Sequence, residues 1–156
     1  MIKLIKTILF SFLVFSITSC SYNPIYSQKN NKFTITELNL VGDKNVNSII
    51  KRKINVNKKD GNSKKYIVSL NTIKKKRIVS KDEKGDPLKF EILIETIYKI
   101  NDEEKLVTEK SVKKTNIYNN LSDKFKLEQS EKIIIENLSE KIAENIISTI
   151  TNLDDN

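Results

Sequence analysis

The chain has no histidine, no tryptophan, one cysteine, three glycines and two prolines in 156 residues. Without histidine it lacks the commonest metal ligand and the commonest general base near neutral pH. The single cysteine, Cys20, cannot close a disulfide within the chain or build a Cys-rich zinc site. Three scattered glycines are too few for a glycine-rich phosphate loop. The acidic residues lie on polar stretches. Asp102, Glu103 and Glu104 fall together, but at a hairpin tip, where solvation suits them better than acid–base work. No catalytic constellation remains. The expectation is a protein that is not an enzyme and carries no cofactor and no metal.

Charge is what the chain has in excess. Lysine and arginine number 28 against 20 acidic residues, a formal charge of +8. Such a balance favours anionic partners: nucleic acid, anionic lipid head groups or acidic saccharides. Lysine, asparagine and isoleucine are all abundant, as AT-rich coding produces, so part of the charge reflects composition.

The first residues point to export. Lys3 and Lys6 precede an apolar stretch over residues 8–17, interrupted only by serines. This is the layout of a secretory signal. The stretch is shorter than the roughly 20 residues needed to cross a bilayer. Ile17-Thr18-Ser19-Cys20 resembles the lipobox: an aliphatic residue, two small residues, then cysteine. The resemblance implies a lipoprotein signal peptide over residues 1–19, cleavage before Cys20, and acylation of Cys20. Several acyl chains, at about 0.8 kcal/mol per buried methylene, make a stable membrane anchor. Loss of Lys3 and Lys6 lowers the charge by two, from +8 to +6. Export also argues against nucleic acid as the partner. Ser21, not aspartate, is the second mature residue, which by resemblance to enteric lipoproteins implies the outer membrane.

Residues 20–31 are polar, contain Pro24 and lack periodicity, so they read as a lipidated tether. Residues 33–41 are rich in β-branched and apolar side chains and end at Gly42-Asp43, predicting a first strand. Asp43 or Asn45 can cap a short helix carrying Val46, Ile49, Ile50 and Ile54 at helical spacing. Residues 57–65 read as a loop. Tyr66, Val68 and Leu70 open a second strand that runs to Val79. Leu88, Phe90, Ile92, Ile94, Thr96, Tyr98 and Ile100 alternate with mostly polar residues and predict a third. Residues 101–105 read as a hairpin loop and 106–118 as a fourth strand. From Ser122 to Leu153 the period becomes helical, with Ile135, Leu138, Ile142, Ile146, Ile150 and Leu153 in one stripe. The order β-α-β-β-β-α predicts an α+β, two-layer sandwich. A four-stranded, mostly antiparallel sheet is covered by two helices, in one domain over residues 32–156.

The densest basic run is Lys74, Lys75, Lys76 and Arg77. On a strand these side chains alternate between faces, so they need not form one patch. They read either as contacts to phosphorylated lipid or sugar, or as lysines guarding a strand edge. Lys113 and Lys114 on the fourth strand, and Lys51, Arg52 and Lys53 on the first helix, carry the same two readings.

Three stretches stand out together: Cys20-Ser21-Tyr22-Asn23-Pro24-Ile25-Tyr26 at the mature start, Leu40-Val41-Gly42-Asp43 at the first strand end, and Tyr118-Asn119 with Ser122-Asp123-Lys124-Phe125 before the long C-terminal helix. With these, the mature chain as a whole resembles the alphaproteobacterial lipopolysaccharide-assembly lipoproteins, small outer-membrane partners of the lipopolysaccharide translocon. Ser21 stands where the family opening has glycine. The resemblance implies a lipid-anchored protein on the periplasmic side of the outer membrane. It would plug the translocon β-barrel, support its assembly and help deliver lipopolysaccharide to the outer leaflet. Lys74, Lys75, Lys76, Arg77, Lys113 and Lys114 are the candidate lipopolysaccharide contacts. The alternative is an accessory lipoprotein of another envelope machine, for secretion or barrel assembly.

Overall fold

A computed structural model of the chain describes residues 33–55, 64–102 and 105–154. The expected signal peptide, Cys20, the expected tether, and Glu103 and Glu104 of the expected hairpin loop lie outside the described residues.

The elements are β1 (Phe33–Gly42), α1 (Lys44–Asn55), β2 (Lys64–Lys81), β3 (Pro87–Asp102), β4 (Lys105–Asn119) and α2 (Lys124–Asp154). The sheet order is β1-β2-β3-β4. β1 pairs parallel with β2, while β2–β3 and β3–β4 are antiparallel. The sheet is therefore mixed, with antiparallel pairs in the majority. The parallel pair follows from the element order, since a helix between two strands returns the chain to the same end of the sheet.

The crossover into α1 is fixed by Gly42 and Asp43. Gly42 has a φ of 98°. A Cβ added there would lie 1.9 Å from the Thr72 carbonyl oxygen, so only glycine fits beside β2. The Asp43 amide donates to that same carbonyl at 3.1 Å. Its carboxylate accepts the Val46 amide at 3.0 Å and so caps α1. Inside the turn, Asn47 Nδ2 donates to the Val41 carbonyl at 3.1 Å, and Thr72 Oγ1 donates to Asn47 Oδ1 at 2.8 Å. Both side chains are buried, and pairing removes the cost of leaving them dry and unbonded.

At the far end, Gly85 turns β2 into β3 with a φ of 89°, and Asp82 Oδ1 accepts the Lys84 and Asp86 amides. Asp123 Oδ1 accepts the Phe125 and Lys126 amides at the start of α2.

Both helices lie on one face of the sheet. Val46, Ile50 and Ile54 of α1 and Leu138, Ile142, Ala143, Ile146 and Ile150 of α2 form one core with Val68, Leu70, Ile92, Ile94, Tyr98 and Ile100. Leu138, Ile142, Ile146 and Ile150 belong to the stripe expected from the sequence period, Ala143 widens it, and its ends, Ile135 and Leu153, are half-buried. Truncating one such isoleucine or leucine to alanine typically costs about 2–5 kcal/mol. Along the helix–helix seam, Arg52 pairs with Glu136 at 2.7 Å, and Lys53 lies within 4.0 Å of Glu140 and 3.9 Å of Glu144. These exposed pairs add little stability and serve mainly to set the seam.

β1 stops opposite Thr72, but β2 continues through residues 73–81. That half of the sheet has three strands, β2, β3 and β4, and the first part of α2 as its helical cover.

Candidate functional site

The basic run lies in this three-stranded half, and its members divide between the faces. Lys74 and Lys76 share the helix-covered face with buried Thr72, two residues before Lys74, whereas Lys75 and Arg77 point the other way. Lys74 Nζ lies 3.0 Å from Asp43 Oδ2. Lys76 Nζ lies 2.5 Å from Glu131 Oε1. Arg77 Nε donates to Glu91, its direct cross-strand partner. Among the described residues Lys75 has no ion pair, and neither do Lys113 and Lys114. The run is thus one unpaired cation beside three already matched by carboxylates from α1's cap, α2 and β3.

Asp43 serves two elements at once. Its burial opposes ionisation, but the Val46 amide and Lys74 outweigh that and hold the carboxyl below its usual value. Lys74 is therefore part of the α1 cap as well as of the basic run.

On the helix-covered face the cross-strand register sets three rows. Lys74, Ile94 and Lys114 form one; Lys76, Ile92 and Asn116 the next; Ile78, Phe90 and Tyr118 the last. Apolar β3 residues thus run between side chains of β2 and β4 that are polar or charged except at Ile78. Phe90 and Tyr118 pack with centroids 5.8 Å apart, and the Lys76 ammonium sits 4.5 Å from the Phe90 centroid. Tyr118 Oη donates to Glu131 Oε1 at 2.8 Å, the same oxygen that Lys76 reaches. Burial first, then the hydrogen bond and charge of Glu131, push the Tyr118 phenol well above its usual value, so it stays a donor. One carboxylate of α2 is therefore gripped by β2 and β4 over the ring of a β3 residue.

The face that carries no described helix presents Ile73, Ile97 and Ile117, at 44%, 40% and 54% exposure. Lys75, Arg77 and Lys113 project among them. Lys113 faces Glu95 across the strands, and Arg77 lies in the row of Glu91 and Ile117. The six candidate contacts are therefore gathered in one half of the sheet but split between its faces: Lys74, Lys76 and Lys114 on one, Lys75, Arg77 and Lys113 on the other. Among the described residues no group of three or more His, Cys, Asp or Glu could hold a metal ion. No described helix is long and apolar enough to cross a membrane.

No family model and no curated protein matches this sequence. Solved structures do. Rare lipoprotein B from Shewanella oneidensis superposes with a TM-score of 0.55 at 14% identity, over 75% of this chain and 98% of that one. The uncharacterized lipoprotein B from Nitrosomonas europaea gives 0.58 at 14% identity, over 80% and 86%. A minor lipoprotein from Acinetobacter baumannii gives 0.57 at 14% identity, over 78% and 92%. The chain has the fold of these lipoproteins. The match covers 86% or more of each of those chains.

Glu131, Tyr118 and Phe90 were not among the candidate site residues read from the sequence. Glu131 is one of several helix carboxylates, and no local spacing distinguishes it. Its partners lie 13 and 55 residues away, and only the register brings them together.

Proposed function

We propose that this chain is a non-enzymatic outer-membrane lipoprotein, anchored through acylated Cys20 on the periplasmic side. It plugs and supports assembly of the lipopolysaccharide translocon β-barrel and helps deliver lipopolysaccharide to the outer leaflet. The observation that carries the reading is a conjunction: the lipobox Ile17-Thr18-Ser19-Cys20 precedes a body with the fold of three solved lipoproteins. The opening Cys20–Tyr26 segment narrows it to the lipopolysaccharide-assembly type.

The side chains support the same assignment. A plug needs a rigid body, and the two helices and four strands share one core. Contact with phosphorylated glycolipid needs cations, and Lys75, Lys113 and Lys114 supply charge not already matched within the described residues. An accessory lipoprotein of another envelope machine would share the anchor and the fold. The identity of the outer-membrane barrel that co-purifies with the native chain separates the two: the lipopolysaccharide translocon barrel supports this reading, and a secretion or barrel-assembly component overturns it.

A further inference from the structure

The first part of α2 is packed differently from the rest. Over residues 124–135 only Leu127 is buried, while Phe125 and Ile133 are 69% and 57% exposed. From Leu138 onward Leu138, Ile142, Ile146 and Ile150 are all buried. Segments with few buried apolar contacts open at the lowest free energy. The two parts meet where Ser139 Oγ donates to the Ile135 carbonyl at 2.6 Å, a back-bond that competes with the helix ladder and favours bending. What fastens this part is Glu131, gripped by Lys76 and Tyr118, together with the buried Leu127 and the half-buried Ile134 and Ile135.

Beneath it, the last two rows place Phe90 and Ile92 of β3 between Lys76 and Ile78 on one side and Asn116 and Tyr118 on the other. Adjacent strands are about 4.8 Å apart, so the two rims stand about 10 Å apart across one apolar strand. This is a short apolar strip with a cation, Lys76, on one rim and polar Asn116 and Tyr118 on the other, covered by a weakly packed helix end. The Glu131 carboxylate occupies the position where an anion would meet Lys76 and Tyr118.

We infer that residues 124–135 are a latch over a cryptic site for an anionic amphiphile. With the latch lifted, an alkyl chain lies along Phe90 and ends against Ile92 at the edge of the core. A phosphate group takes the place of Glu131 on Lys76 and Tyr118. The inference rests on the reading above that the ligand is a phosphorylated glycolipid, and adds where that ligand binds and what closes its site. Phosphate suits the position because its several oxygens can accept from the ammonium and the phenol together.

Two measurements on the purified full chain test it. Glu131→Gln removes the charge that closes the latch, and Tyr118→Phe removes one hydrogen bond while keeping the ring on Phe90. Hydrogen exchange should quicken over residues 124–135 in both variants and stay unchanged over 138–150. Dodecyl phosphate, below its micelle concentration, should bind Glu131→Gln about tenfold more tightly than the unaltered chain, because a larger fraction is already open. Tyr118→Phe carries the exchange test if Glu131→Gln fails to fold. Inorganic phosphate and dodecyl maltoside should each show no such gain, since one lacks the chain and the other the charge. Exchange that is unchanged, or that quickens evenly along α2, overturns the inference. So does equal dodecyl phosphate affinity in the two proteins, or an equal gain for inorganic phosphate. Failure to recover the translocon barrel would sink the functional reading but would leave these measurements standing.

Discussion

Tyr98 Oη lies 2.8 Å from Thr149 Oγ1, joining the last third of β3 to the last third of α2. The same hydroxyl donates to Asn145 Oδ1 at 3.0 Å. Tyr98 is fully buried, so its ring contributes to the core while its one polar atom is satisfied by the helix that covers it. This pairing sets where α2 lies along the sheet, and therefore where Glu131 meets Lys76 and Tyr118.

Tyr98→Phe keeps the ring and removes the hydroxyl. Thr149 is buried and loses a partner, so the expected loss is about 1–3 kcal/mol. Urea unfolding followed by circular dichroism checks it. A neutral result would mean that the hydroxyl does not hold α2 in register.

Gly42→Ala puts a methyl group against the Thr72 carbonyl at a φ that L residues rarely adopt. Backbone strain of this kind costs on the order of 1–3 kcal/mol before the clash is added. Thermal unfolding should show Gly42→Ala well below the unaltered chain, while Gly85→Ala, with no atom within 4 Å of the added carbon, should lose less. Equal losses would argue that space beside β2 is not what selects glycine at position 42.

Asp43 sets a pH dependence. Its folded-state carboxyl titrates below the ordinary value of 3.8, so the unfolded chain binds the proton more readily. Its contribution is fully present above about pH 4 and is lost as pH falls through the lower, folded-state value. Asp43→Asn should therefore be less stable than the unaltered chain at neutral pH, and the gap should narrow on acidification below pH 4. A gap that stays constant through that range would show that Lys74 and the Val46 amide do not favour the ionised form.

Much of the fold is legible in the sequence because it depends on period. The alternation from Leu88 to Ile100 and the stripe from Leu138 to Ile150 identify β3 and α2, and the expected side is buried from Ile92 to Ile100 and from Leu138 to Ile150, whereas Leu88 is exposed and Phe90 half-buried. Gly42-Asp43 marks a turn and cap by local chemistry alone. The site is less legible because it depends on register. Four consecutive cations, Lys74 to Arg77, read as a density of charge. Nothing near them in sequence reveals that Asp43, Glu91 and Glu131 already match three of them. Likewise Tyr98 reads as one more inward residue until Asn145 and Thr149 are placed above it.

Cys20 should carry lipid if Ile17-Thr18-Ser19-Cys20, which resembles a lipobox, is cleaved and acylated as one. Mass spectrometry of the N-terminal peptide from native membranes should give a diacylglyceryl-modified, acylated cysteine. A free amine on another residue would remove the anchor from the functional reading.

The most direct test of the translocon assignment is depletion of this protein in its own cells, with the assembled translocon barrel and surface lipopolysaccharide measured together. Both should fall, and both should return with the unaltered chain but not with a Cys20→Ala chain that cannot be acylated. Depletion that leaves the barrel assembled and surface lipopolysaccharide unchanged would contradict the assignment.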